Sequence, residues 1–284
     1  MKNNMVKINQ SNKVNLLMQL DTKRSKLQTN EFGVLCYVVG KDKNKVNIYV
    51  APPVNYDGKL TMDDFVFSGT THRLFMYIRE LYALRTTQNI DFSIKEYMRR
   101  CELQDRKQAR KQIEKDLFAL SSVSYEDGST IIESFDMPNG RVSVQLSSDF
   151  MADMSRENYI LLPIEYYTIN RHQFAYAPNL LYYLLLLKYY NCKKTNKNRI
   201  TIKSLLDYGK FPTIEEVRNT KNNSIKDRIV VPFFRNLNAL KEVARCTYYS
   251  ERGEKLTPDE VRALDYEDMV RVVIHIEWLC PKKK

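Results

Sequence analysis

Two spacings of apolar residues alternate along the chain, and each marks a kind of element. The stretches 32–39 (FGVLCYVV) and 46–50 (VNIYV) are β-prone and are separated by the polar run 40–45. They read as a hairpin that Pro52 and Pro53 end. After Ser68 to Thr71 the spacing changes: Leu74, Ile78 and Leu81, with Phe75 and Tyr82, recur at the interval of a helix face. Asp91 to Ser93 breaks that pattern, and Ser93 can cap a short helix carrying Ile94, Tyr97 and Met98. A longer helix is predicted over 105–120, with Ala109, Ile113, Leu117 and Leu120 as its apolar face. β-prone residues return at 123–125, 131–135 and 142–146, with turns at 126–128 and 137–140. The second turn ends in Asn139 and Gly140, a strong hairpin signal. Helix, short helix, longer helix and β-ribbon, in that order, predict a winged helix.

The second half repeats the order without repeating the residues. A buried helix is predicted over 180–190, a short strand over 199–202, and a short helix over 203–208 ended by Gly209. A polar connection (210–222) leads into a third helix over 224–243. On that helix Ile225, Ile229, Phe233, Leu237 and Leu240 share one face, and Ser224, Arg228, Val231 and Arg235 the other. Pro232 predicts a kink there, because an interior proline costs a helix about 3 kcal/mol. The β-prone runs 246–250 and 269–279 form the ribbon, with a capped helix inserted between them at Thr257, Pro258 and Glu260. The expected fold class is α+β: two tandem winged-helix domains, each a three-helix core with a β-hairpin wing, plus an N-terminal β-hairpin. The expected boundaries are a flexible polar arm at 1–28, one domain at 29–150 and a second at 151–284.

Charge sharpens this picture. The chain of 284 residues has a formal net charge of +11, and +10 of it falls between 171 and 250, where 15 basic side chains meet five acidic ones. Such a concentration implies an anionic partner, most often nucleic acid, although a solvated lysine-rich surface gives the same count. No apolar run approaches the roughly 20 residues that span a bilayer, and no apolar signal-peptide region follows Met1, so a cytoplasmic protein without membrane contact is expected. The five cysteines are odd in number and never spaced as C-x-x-C, which argues against a disulfide framework and a zinc ribbon.

Catalytic signatures are missing from the sequence. His72, His172 and His275 stand apart, and neither a P-loop nor a G-x-S-x-G elbow occurs. The acidic pairs Asp63–Asp64 and Glu215–Glu216 read as surface. Neither a catalytic activity nor a cofactor or metal is expected.

The candidate chemistry is therefore contact with DNA. In the second unit Ser224, Arg228 and Arg235 lie on the exposed side of the third helix, with Lys221 just before it; an arginine there can read guanine, and Val231 suits a thymine methyl. Lys193, Lys194, Lys197, Arg199 and Lys203 suit phosphates. In the first unit Lys107, Lys111 and Lys115 form a stripe flanked by Arg106 and Arg110, with Gln108 and Gln112 able to touch a base edge. A solvated helix with Glu114 and Asp116 compensating is the plainer reading of that stripe. The hairpin behind it is acidic (Glu126, Asp127, Glu133, Asp136) and suits a protein better than DNA.

Two consecutive winged-helix patterns, the segment 225–237 (IKDRIVVPFFRNL) and the junction 141–150 (RVSVQLSSDF) together resemble the tandem winged-helix replication initiators of theta-replicating plasmids. The resemblance covers roughly residues 65–245. It implies that the C-terminal unit reads repeated origin sequences in double-stranded DNA, with Lys226, Arg228 and Arg235 as contacts. It also implies phosphate contacts and dimerisation by the N-terminal unit, and recruitment of host replication proteins such as a helicase or initiator. The helix inserted in the second wing and the N-terminal hairpin depart from the family pattern. The sequence leaves open a winged-helix transcriptional or partition regulator bound to an operator, a protein–protein adaptor, and a nickase.

Overall fold

The computed structural model describes residues 5–20, 27–29, 34–39, 46–51, 67–154, 159–191 and 198–279. The hairpin connector at 40–45, Pro52, Pro53, Asp63, Asp64 and Lys193, Lys194 and Lys197 lie outside these residues. The chain divides into two compact units, Val6–Leu161 and Leu162–Lys284 with Met1–Met5.

The N-terminal unit begins with strand β1 (Met5–Asn9) and helix α1 (Asn12–Gln19), which Ser11 caps. The stretch expected to be a loose arm is thus structured in these residues, and Ile8, Val14, Leu17 and Leu20 are fully buried. Strands β2 (Leu27–Thr29), β3 (Leu35–Val39) and β4 (Val46–Val50) follow. β3 and β4 pair antiparallel, as the hairpin reading expects. Helix α2 (Gly69–Arg85) starts at a capping box between Ser68 and Thr71 and is buried at every position from 71 to 82. Its Arg79 is 0% exposed; the guanidinium donates to the Asn9 carbonyl and to the Met76 sulfur. A buried cation must find acceptors, and the N-terminal strand supplies one, which is a physical reason for the order of that segment.

Strand β5 (Asn89–Ser93) alternates exposed Asn89 and Asp91 with buried Ile90 and Phe92, where the sequence suggested only a break. Helix α3 (Ile94–Arg100) has the expected Ser93 cap, closed by Glu96. Helix α4 (Arg106–Ser121) is capped by Asp105 and buries Ala109, Ile113, Leu117 and Leu120. Strand β6 (Val123–Tyr125) does not join the ribbon behind α4. It pairs with β4, completing a sheet of order β2-β3-β4-β6. The ribbon is β7 (Ile132–Asp136) and β8 (Arg141–Leu146), and β5 adds to β8, giving the order β5-β8-β7. Helix α5 (Ser148–Met154) closes the unit.

Strand β9 (Tyr159–Pro163) pairs with β1, and the short helix α6 (Glu165–Thr168) follows. In the C-terminal unit α7 (Ala177–Tyr190) is the buried first helix, and strand β10 (Arg199–Thr201) leads into α8 (Ile202–Gly209). The left-handed residue after α8 is Lys210 (φ 66°), not Gly209. Gly209 is instead a close-packing position: a Cβ there would lie 2.8 Å from both Leu180 Cδ2 and Phe211 Cε2. The connection expected to be irregular holds α9 (Ile214–Arg218), with a Thr213–Glu216 capping box. The third helix is a π-helical turn over Lys226–Val230 followed by α10 (Val231–Asn238). Strand β11 (Ala244–Tyr249), the short strand β12 (Lys255–Leu256), helices α11 (Pro258–Ala263) and α12 (Tyr266–Arg271) and strand β13 (Val273–Trp278) complete the chain. The sheet order is β10-β13-β11-β12. In the C-terminal unit β10 pairs with the last strand, β13, which in turn pairs with β11; in the N-terminal unit β8 likewise lies between β5 and β7, and β6 belongs to the other sheet.

Each unit also ties its third helix to the start of its first through a buried polar side chain. In the N-terminal unit Asp116 of α4 is 1% exposed and accepts from Thr71 Oγ1 (2.7 Å), Gln112 Nε2 (3.0 Å) and Thr70 Oγ1 (3.1 Å). It is therefore no solvated compensating charge. In the C-terminal unit Asn236 of α10 is 1% exposed; its Oδ1 accepts from the amides of Tyr176 and Ala177, both at 3.0 Å, and its Nδ2 donates to the Pro232 carbonyl at 2.8 Å. The first turn of α7 has no side-chain cap of its own, so Asn236 supplies one from across the unit.

Two outcomes are expected. Asn236→Ala removes the acceptor of the Tyr176 amide and leaves Ala177 only its 3.3 Å bond to the Phe174 carbonyl. Denaturant unfolding should show a loss of about 2 kcal/mol. Burial pushes the Asp116 carboxyl up to about 6, against the pull of its hydrogen-bond donors and Arg73. A folded-state value raised above the unfolded one means that the folded form takes up the proton first, so this contribution strengthens as pH falls through 6 and fades as it rises. Between pH 7.5 and 4.5 the wild type should gain on the order of 2 kcal/mol relative to Asp116→Asn; parallel urea titrations of both proteins measure it.

Candidate nucleic-acid interface

The third helix of the C-terminal unit begins at Ser224. Its Oγ accepts from the Asp227 amide (3.2 Å) and its carbonyl from the Arg228 amide (3.0 Å), the pattern of a helix cap. Asn222 Oδ1 in turn accepts from the Ser224 amide at 3.2 Å. Ile229, Val230, Phe233, Phe234, Leu237 and Leu240 are buried, and Ile225 is half-buried. Arg228, Val231, Arg235 and Asn238 are exposed. Val231, Arg235 and Asn238 are spaced four and three residues apart on α10 and form one stripe, and Arg228 is exposed in the π-helical turn at its N-terminal end. Val231 is 48% exposed on a helix whose other apolar side chains are buried or half-buried.

Lys221 and Lys226 are exposed beside the cap, together with Asp227. Arg228 and Arg235 enter no ion pair among the described residues. Lys203 is exposed in α8, and Arg199 is exposed in β10, where it borders a shallow depression with Tyr249, Ser250 and Glu251. The inserted helix α11 covers one flank of the third helix: the Arg262 guanidinium lies 4.8 Å over the Phe234 ring and pairs with Asp259 at 2.9 Å. That contact explains why Phe234, off the predicted apolar face, is buried.

In the N-terminal unit Lys107, Lys111 and Lys115 are exposed along α4. Arg106 and Arg110 face the ribbon's turn instead of standing free. Arg110 Nη2 donates to the Met137 carbonyl (3.2 Å), and Arg106 Nη2 is 2.7 Å from the position of a Cβ on Gly140, whose φ is +81°. The left-handed backbone favours glycine there, and a side chain would also displace the guanidinium. The acids of the neighbouring strands are also in use. Glu126 accepts from the Asn47 amide, and Lys13 and Ser129 hold the Asp127 carboxyl well below the usual carboxylate range.

Sequence reasoning missed two residues that shape this surface. Asn238 extends the exposed stripe, and Asn236 fixes the helix that displays it. A polar residue between Phe233 and Leu237 on a core face was the available signal for Asn236. Among the described residues no group of three His, Cys, Asp or Glu side chains could hold a metal ion, and no helix is long and apolar enough to cross a membrane.

No protein-family model matches the chain, and no curated protein matches it. Among solved structures it is similar to a Pi initiator protein in complex with iteron DNA, at 10% identity and a TM-score of 0.44, over 74% of this chain and 90% of that one. It is also similar to domains 2 and 3 of RctB, at 10% identity and a TM-score of 0.42, over 93% of this chain and 96% of that one.

Proposed function

We propose that the protein is a replication initiator of a plasmid or mobile element, that each of its units is a winged helix, and that the C-terminal unit reads double-stranded DNA through Arg228, Val231 and Arg235. The observation that carries the reading is this exposed trio. Two arginines that enter no ion pair among the described residues flank an exposed valine on a helix whose other side is buried, within the segment that holds nearly all the net charge. Arginines so placed can each bind guanine O6 and N7, and the valine suits a thymine methyl. Ser224, Lys221, Lys226, Lys203 and Arg199 then serve the phosphates, with Lys193, Lys194 and Lys197 nearby in the chain. Lys107 and Lys111 give the N-terminal unit a second phosphate contact, while Arg106 and Arg110 brace its wing. The sequence resemblance over roughly 65–245 favours an initiator, active on origin repeats with host replication proteins and a possible homodimer, over a regulator.

A duplex selected from a random pool tests this. Arg228→Ala with Arg235→Ala should lose about 1–3 kcal/mol of discrimination per arginine while melting like the wild type; undiminished preference for the selected site overturns the assignment. Lys203→Ala should weaken all duplexes alike and flatten the plot of log affinity against log salt by about one unit. Footprints over direct repeats beside an AT-rich tract favour the initiator, and a lone palindrome favours the regulator.

A further inference from the structure

We infer that Asn238 is a specificity-determining residue that reads an adenine close beside the guanine that Arg235 meets. This rests on the DNA-binding reading above. Helix α10 displays three side chains along one line, Val231, Arg235 and Asn238, four and three residues apart. At the α-helical turn they fall within about 60° of one another around the axis. Phe233, Phe234, Asn236 and Leu237, interleaved with them, are buried.

The fold makes no use of the Asn238 carboxamide. Asparagine is a poor helix former, and at a helix end it is favoured as the left-handed residue just past the last turn. Asn238 does not take that role. It is the last residue of α10, its φ is not positive, and Ala239 follows as a right-handed cap. Its side chain makes no hydrogen bond among the described residues. Asn236, on the same helix, shows what a carboxamide does when the fold employs it, bonding Tyr176, Ala177 and Pro232. Alanine at 238 would suit the helix better, so the reason for a carboxamide there lies outside the fold.

Its chemistry names the ligand. A carboxamide carries a donor and an acceptor side by side, which match the N6 amino group and N7 of adenine in the major groove. Its reach agrees with that of Val231. The asparagine side chain is longer by a bond, and a hydrogen bond is shorter than a carbon–carbon contact by about 1 Å. Both side chains therefore meet bases at nearly the same depth of the backbone, while the longer Arg235 between them bends to fit. Asn238 stands about 4.5 Å beyond Arg235 along the axis, and base pairs are about 3.4 Å apart. The adenine then lies within about two base pairs of the Arg235 guanine, on the side away from the Val231 thymine.

The full chain and the selected duplex test this, with Arg235→Ala first locating its guanine as the base pair where preference is lost. Asn238→Ala should melt no lower than the wild type. It should bind the selected duplex about tenfold or more weakly and lose preference at one A·T pair within about two base pairs of that guanine. Affinity for a scrambled duplex should stay within about twofold, because no phosphate-binding group is altered. An adenine analogue with carbon in place of N7 at that pair should weaken the wild type and leave Asn238→Ala unchanged. Undiminished preference at every position in Asn238→Ala overturns the inference. So does an equal loss on scrambled DNA, which makes Asn238 a backbone contact, or a lowered melting temperature, which assigns it to the fold. An analogue effect that persists in the variant overturns it as well. If Arg228→Ala with Arg235→Ala keeps the wild-type preference, the DNA-reading assignment itself fails; if that double variant loses it and Asn238→Ala does not, only this inference fails.

Discussion

The C-terminal unit depends on one carboxamide. Asn236 is buried on the core side of the third helix, yet it carries two donors and an acceptor that must all find partners in a place water does not reach. Its Oδ1 accepts from two amides at the start of α7, and its Nδ2 donates to the Pro232 carbonyl of its own helix. An apolar side chain of the same size would pack, but it would leave the first turn of α7 without a cap. The residue thus fixes the rotation of the third helix as well as its depth, since the carboxamide meets those amides in one orientation. Whatever the exposed side of that helix contacts is aimed by this hidden group.

The N-terminal unit reaches the same end with a different chemistry. Asp116 occupies the matching place before the third core residue and grips α2 through the Thr70 and Thr71 hydroxyls. A carboxylate in that position carries a desolvation cost that a carboxamide does not, and the upward displacement of its titration records that cost. One clamp is therefore sensitive to mildly acidic pH and the other is neutral throughout. The neutral version belongs to the unit that displays Arg228, Val231 and Arg235.

Much of this architecture was legible in the residue order. Ser93 and Thr257 announce helix starts, and each caps as expected because capping is a local bargain between a short polar side chain and the next turn's amides. The spacing of Ile229, Phe233, Leu237 and Leu240 gives the buried side of the third helix, and the charge count marks the segment. The failures were equally physical. Val123 to Tyr125 is as β-prone beside the ribbon as beside β4, and only the partner's position decides between them. Asp116 and Arg79 look like solvent residues because their burial is compensated by groups far away in sequence, Thr70 and Thr71 in one case and Asn9 in the other. Thr213 with Glu216 was a readable capping box inside a stretch too polar to suggest a helix.

The sequence by itself determined the principal helices and ribbon strands, their order, the buried face of α4 and of the third helix of the C-terminal unit, and the place of the positive charge, because these follow from periods of two and 3.6 residues and from turns that close within a few positions. It also marked Pro232 as a point of conflict. Tertiary structure decided how that conflict is resolved. Asn236 is bound to amides some sixty residues earlier, and the backbone just before Pro232 takes a π-helical turn over Lys226–Val230. That outcome depends on distances between fixed points in space, which a linear pattern does not contain.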